Sequence, residues 1–228
     1  FGQIFVVDER GIRHPRFDQW QGDDQSTMNL TDPTATPMEY IRFASLLGTG
    51  FGISSPSRVL AVGLGGGGFV AAIRNAMQNA SVEAVEIDPT VVRVAREYFG
   101  LGRLEMNPNS RLHMFIDDGN AYLERQGAAV YDSIFVDCYI AGVPSDQSDI
   151  PEHIISDSFF QVLRSRLRPL GLAAINVAEN DKTWASYIKR PAGLMDVNFF
   201  NPFSFPLELC WVDLTAAVPP ICYGTVAP

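Results

Sequence analysis

From residue 58 onward the chain alternates two kinds of apolar spacing. Short, nearly continuous apolar runs (RVLAVGL, VEAVEID, LHMFIDD, YDSIFVDCY, GLAAINVAE) are separated by segments with apolar residues three or four positions apart (FVAAIRNAMQNA, PTVVRVAREYFG, NAYLERQ, SDSFFQVLRSRLRPL). The first kind predicts buried strands and the second predicts helices packed on them. Pro89 falls in the first turn of a predicted helix, where its missing N–H is not needed. Strands that alternate with helices at these lengths require right-handed crossovers and a mostly parallel sheet with flanking helices.

The rest of the pattern sets the boundaries. GQIFVVDERGIRHPRF alternates apolar and polar residues around a glycine turn, which predicts a small N-terminal β-hairpin. Residues 20–37 are polar and carry prolines, as in a loop that crosses a site; together residues 1–37 form a hairpin-and-loop element ahead of a domain over 38–228. PMEYIRFASLLGTG predicts a helix stopped by Gly48 and Gly50. The stretch containing NFFNPFSFPLELCWVDL predicts a helix and one or two closing strands, with NPFSFPLELC as an exposed loop suited to a homodimer surface.

Composition narrows the function classes. A chain of 228 residues, 46% hydrophobic and 19% charged, suits one α/β domain with a small addition. Its formal charge of -9 and the absence of Lys/Arg-rich runs disfavour nucleic acid. The apolar stretches are too short and too interrupted to span a bilayer, so no membrane partner is expected. Cys138, Cys210 and Cys222 form no CxxC pair, which argues against a disulfide framework or a sulfur-rich metal site and points to a cytoplasmic location. The sequence begins at Phe1 rather than Met, as a trimmed or processed chain does.

The densest chemical signal is VLAVGLGGGGFVAAI, residues 59–73. Gly63, Gly65 and Gly67 follow a strand and open a helix, so backbone amides and the positive helix end can approach a ligand closely. At the end of the next strand stand Glu86 and Asp88, placed to reach ribose hydroxyls. A Walker lysine is absent, which disfavours P-loop triphosphate chemistry, while a dinucleotide stays open on this geometry. Asp117 and Asp118, after the third strand, can accept from an adenine amino group and would repel a pyrophosphate; one of them also suits the cap of the helix near Asn120. An adenosine-bearing ligand is the expectation.

His14, His113 and His153 are scattered without ligand spacing, so no metal is expected and ordinary structural roles are assigned to them. His153, in PEH beside the acidic loop, has contact with an acceptor as its alternative. Cys138 reads as core, and no GxSxG nucleophile elbow is present.

VLAVGLGGG, VEAVEIDPTVVRVAREYF, DDG at 117–119, YDSIFVD at 131–137 and IPEHIISDSFFQVLRSRLRPLGLAAINV, with QSTM at 25–28 and DP at 32–33, together resemble the spermidine synthase-like family. That family is a branch of the class I S-adenosylmethionine-dependent methyltransferase fold, which is Rossmann-like. The resemblance implies that Gly63, Gly65 and Gly67 line the cofactor's tail, Glu86 binds its ribose with Asp88 beside it, and Asp118 and Gly119 face its adenine. It further implies that Gln25 lies near the reacting end and that Asp137 is the active-site aspartate; Tyr139, two residues on, is placed to shape or hydrogen-bond the acceptor pocket.

Two departures bear on the reaction. Aminopropyltransferases of the family carry Asp in the glycine loop, where this chain has Gly66, and a second Asp three positions after the first, where it has Ile140. Both losses remove charge that a free ammonium needs. The expectation is a methyltransferase using S-adenosylmethionine on a small, amine-bearing acceptor. The alternative is a polyamine aminopropyltransferase using decarboxylated S-adenosylmethionine, with Asp146 and Asp149 replacing the missing carboxylate. A non-catalytic adenosine-binding relative is the third reading.

Overall fold

The computed structural model describes residues 3–17, 26–33, 35–36, 38, 41–42, 44–45, 57–140, 150–178, 196–200 and 207–213. Strands β1 (Ile4–Glu9) and β2 (Ile12–Phe17) form the predicted hairpin, and β3 (Met28–Asn29) extends it to a three-stranded antiparallel sheet. Arg10 and Gly11 make the turn with φ of 51° and 80°, the positive pair that a tight two-residue hairpin requires. Arg13 Nη1 donates to the Tyr98 carbonyl at 2.8 Å and ties the hairpin to the main domain.

The main sheet has the order β6-β5-β4-β7-β8-β10-β9. Its strands are β4 (Arg58–Val62), β5 (Ser81–Glu86), β6 (Leu112–Ile116), β7 (Tyr131–Val136), β8 (Leu167–Ala178), β9 (Asp196–Phe200) and β10 (Leu207–Asp213). β4 to β8 pair in parallel, and β10 pairs antiparallel with both β8 and β9. Helices α1 (Gly68–Ala76), α2 (Pro89–Tyr98), α3 (Leu101–Met106), α4 (Gly119–Arg125) and α5 (Asp157–Arg166) flank it, with a 3-10 turn over Glu152–Ile155. The expected α/β, Rossmann-like architecture is the one observed.

Strand β4 shows why the apolar runs are continuous. Val59 and Ala61 pack into one core cluster with Phe69, Val70, Ile73, Val92 and Ala95, while Leu60 and Val62 enter a second with Leu123, Ile134, Phe159 and Leu163. Successive side chains point to opposite faces, so a central strand covered on both sides is apolar at every position. The order also reverses at β4, with β5 on one side and β7 on the other, which opens a crevice at the carboxyl ends of these strands.

The opposite end of the sheet is tied by a buried polar cluster. Glu83 accepts from the Tyr131 hydroxyl at 2.6 Å, the Tyr122 hydroxyl at 3.0 Å, and Arg58 Nη2 and Nε at 2.6 and 2.9 Å. Burial, reinforced by the Glu83 carboxylate, pushes the Tyr122 hydroxyl up to about 12 and that of Tyr131 well above the usual phenol range.

Several boundaries differ from expectation. The helix expected over 156–170 stops at Arg166, and RLRPL turns into β8, where Leu167 pairs with Tyr131. α3 was not predicted; six residues between Gly100 and Asn107 carry too little periodicity to read. LELC is no exposed loop: it begins β10, which lies between β8 and β9. The helix expected near the C-terminal end, together with the loop at 141–149, lies outside the described residues.

Candidate active site

The crevice holds a cavity of about 370 Å³ at the strand ends. Its first wall is the turn between β4 and α1. Gly63, Gly65 and Gly67 have φ of 90°, 51° and 78°, and Gly67 is the left-handed N-cap of α1. A Cβ on Gly63 would collide with the carbonyl oxygen of Asp137, so β4 and β7 close together only over a bare backbone. A Cβ on Gly67 would run into the Leu101 side chain. Gly63 and Gly65 line the cavity, whereas Gly67 shapes the turn behind it.

Glu86, at the end of β5, is held rigidly beside this turn. Its Oε2 accepts from Leu64 N–H at 3.0 Å and its Oε1 from Asp88 N–H at 2.9 Å. Burial raises its pKa, and the backbone donors oppose the rise. A carboxylate so pinned keeps further lone pairs for a ligand's hydroxyls. Asp88 lines the cavity, but its Oδ1 accepts from Thr90 N–H at 2.7 Å and caps α2.

The third strand end carries Asp117, Asp118 and Gly119, all on the cavity wall. Asp117 pairs with Arg125, and Asp118 Oδ1 caps α4 by accepting from Ala121 N–H at 2.8 Å. Asp118 Oδ2 lies 3.2 Å from His153 Nε2. Ile87 and Ile154 add apolar surface to the same cavity.

At the end of β7, Asp137 N–H continues the ladder to the Val62 carbonyl at 2.8 Å. Asp137, Cys138, Tyr139 and Ile140 all line the cavity. Cys138, expected as core, packs against the second core cluster and also lines the cavity past the strand end, and its thiol donates to Val62 O at 3.4 Å. Burial and the nearby Glu86, Asp137 and Asp118 carboxylates push that thiol far up, which opposes a thiolate nucleophile.

One residue escaped the sequence reading. Asn176, 5% exposed on β8, donates Nδ2–H to Asp137 Oδ1 at 3.0 Å. Its own Oδ1 is buried without a hydrogen-bond partner among the described residues, and turning the amide over would set two oxygens against each other. A lone amide inside the apolar run GLAAINVAE was the available signal.

The structure thus brings together Gly63, Gly65, Glu86, Asp88, Asp118, Gly119, Asp137 and Tyr139 around one cavity. Gln25 lies outside the described residues, although its neighbour Ser26 is on the cavity wall. Among the described residues no three His, Cys, Asp or Glu side chains cluster as a metal site. No helix among them is long and apolar enough to cross a membrane.

The family model described as "Spermine/spermidine synthase domain" matches residues 48–189, more than half of the sequence. The chain belongs to the spermine/spermidine synthase domain family. Among curated relatives of this family member, an eEF1A lysine and N-terminal methyltransferase homolog of Drosophila melanogaster is 32% identical over 127 residues, 55% of this chain and 18% of that protein. A polyamine aminopropyltransferase of Vibrio vulnificus is 27% identical over 188 residues, 81% of this chain and 58% of that protein. A solved structure of a probable spermidine synthase from Corynebacterium glutamicum shares the fold with a TM-score of 0.71 at 16% identity, covering 93% of this chain and 77% of that one. The chain spans less than two thirds of the length of these two curated relatives. The spermidine synthase-like family uses S-adenosylmethionine-type donors.

Proposed function

We propose that this chain transfers a methyl group from S-adenosylmethionine to a small amine: the nitrogen–carbon bond forms as the methyl–sulfur bond breaks, S-adenosylhomocysteine leaves, and the amine's proton passes to Asp137. The donor supplies an electrophilic carbon bound to a sulfonium, so the protein's work is alignment and proton handling. Glu86 and the glycine turn bind the donor, and Asp137 accepts a hydrogen bond from the incoming amine and turns its lone pair inward. Asn176 stands behind Asp137 and holds its carboxylate in one orientation.

Gly66 carries the choice of donor. A Cβ there would lie 2.7 Å from Ser26 Oγ and 3.0 Å from Phe99 Cδ1. A side chain at this position would require Ser26 and Phe99 to shift, and the loop lacks the aspartate that meets the free amine of decarboxylated S-adenosylmethionine in the aminopropyltransferases that the sequence resembles. Decarboxylated S-adenosylmethionine carries its ammonium with no carboxylate of its own and is disfavoured without that partner, whereas the α-ammonium of intact S-adenosylmethionine is balanced by its own carboxylate, which suits exposed amides.

Aminopropyl transfer is the second reading, and the comparisons lean toward it. The polyamine aminopropyltransferase of Vibrio vulnificus aligns over 81% of the chain, against 55% for the Drosophila methyltransferase homolog. Calorimetry with both donors separates the two. Methyl transfer predicts intact S-adenosylmethionine bound at least about tenfold, roughly 1.4 kcal/mol, more tightly. The reverse preference, with aminopropyl transfer to a diamine, overturns it.

A further inference from the structure

The His153–Asp118 contact is left unused by the proposed reaction. His153 and Asp118 side chains are 54% and 34% exposed, and a polar contact so open to water contributes little to folding. Yet the contact is built from two fixed supports. Asp118 is anchored through Oδ1, which caps α4. His153 is anchored through its backbone: Ser156 Oγ donates to the His153 carbonyl at 2.9 Å while accepting from Phe159 N–H at 3.1 Å, the N-terminal cap of α5. Two helix caps therefore bring one imidazole and one carboxylate oxygen to the cavity wall, 3.2 Å apart.

The chemistry of the pair fixes its direction. An ionised carboxylate only accepts, so the proton between them belongs to His153 Nε2. That donor takes one lone pair of Asp118 Oδ2 and holds the oxygen against rotation, while the remaining lone pair stays available. Ile87 and Ile154 supply apolar surface in the same cavity, and Ile154 is 2% exposed. An apolar wall with one oriented acceptor at its edge suits a flat heterocycle bearing an exocyclic amino group.

We propose that His153 is a positioning residue of the donor site, which fixes Asp118 Oδ2 so that the cavity selects a 6-aminopurine over a 6-oxopurine. This rests on the adenosyl-donor reading above. A 6-oxo group would bring oxygen against a carboxylate oxygen that His153 keeps from turning away, so discrimination depends on the pair and not on Asp118 alone.

The test is calorimetric titration of the whole chain with S-adenosylhomocysteine and S-inosylhomocysteine. The wild type is compared with His153→Ala and His153→Gln, the latter retaining an N–H at similar reach. The proposal predicts that His153→Ala reduces the adenosyl-over-inosyl preference by about fivefold or more and that His153→Gln keeps most of it. An unchanged preference in His153→Ala overturns the proposal while leaving the donor reading intact. A wild-type chain that binds neither compound overturns the donor reading itself, and this inference with it.

Discussion

Asp137 has its backbone committed on both sides before its carboxylate does anything. Its N–H bonds Val62, its carbonyl oxygen fills the space a side chain at Gly63 would occupy, and Asn176 holds one carboxylate oxygen. A side chain held so firmly suits an acceptor-orienting role better than a donor-binding one. Replacing Asp137 by Asn is expected to lower turnover about 100-fold and to change donor affinity by less than about threefold, read by single-turnover kinetics and calorimetry. Asn176→Ala, which frees the carboxylate without removing it, is expected to cost about tenfold in turnover. Matching losses of binding and turnover in Asp137→Asn would move this residue into the donor's shell. The position of Asp137 at a strand end was legible from YDSIFVD, and it lies on the cavity wall; the contact from Asn176 was not legible, because it depends on β8 lying beside β7.

At the scale of elements, the turn from β4 to α1 is where backbone conformation and chemistry coincide. Gly63 combines a φ of 90° with the closest approach of the β7 end, so strain and collision add at one position. Gly63→Ala is expected to destabilise the fold by about 3 kcal/mol or more, measured by urea unfolding, and to abolish donor binding. An alanine variant of wild-type stability would mean that the two strand ends separate easily. The strands around this turn were readable because burial on both faces leaves an unbroken apolar run. The end of α5 was not: Leu163, Leu167 and Leu170 continue a helical period, and only pairing of Leu167 with Tyr131 shows that the chain has already become strand. The acidic DD after β6 was read as one ligand group and one cap, and Asp118 combines a cap with a place on the cavity wall.

Across the whole molecule, stability and chemistry occupy opposite ends of one sheet. At the amino ends of the strands Glu83 gathers Arg58, Tyr122 and Tyr131 into a satisfied buried cluster. At the carboxyl ends Glu86 is half-buried, and desolvation raises its pKa while backbone donors oppose the rise. A crevice at the carboxyl ends of the strands is where a Rossmann-like sheet places a ligand, and it is where the proposed donor site lies. The most direct test is calorimetric binding of S-adenosylhomocysteine to the wild type and to Glu86→Gln. The account predicts saturable one-to-one binding that weakens about 10-fold to 100-fold, roughly 1.4–2.8 kcal/mol, in the variant. Equal affinity in both proteins, or no binding to the wild type at saturating concentration, would contradict it.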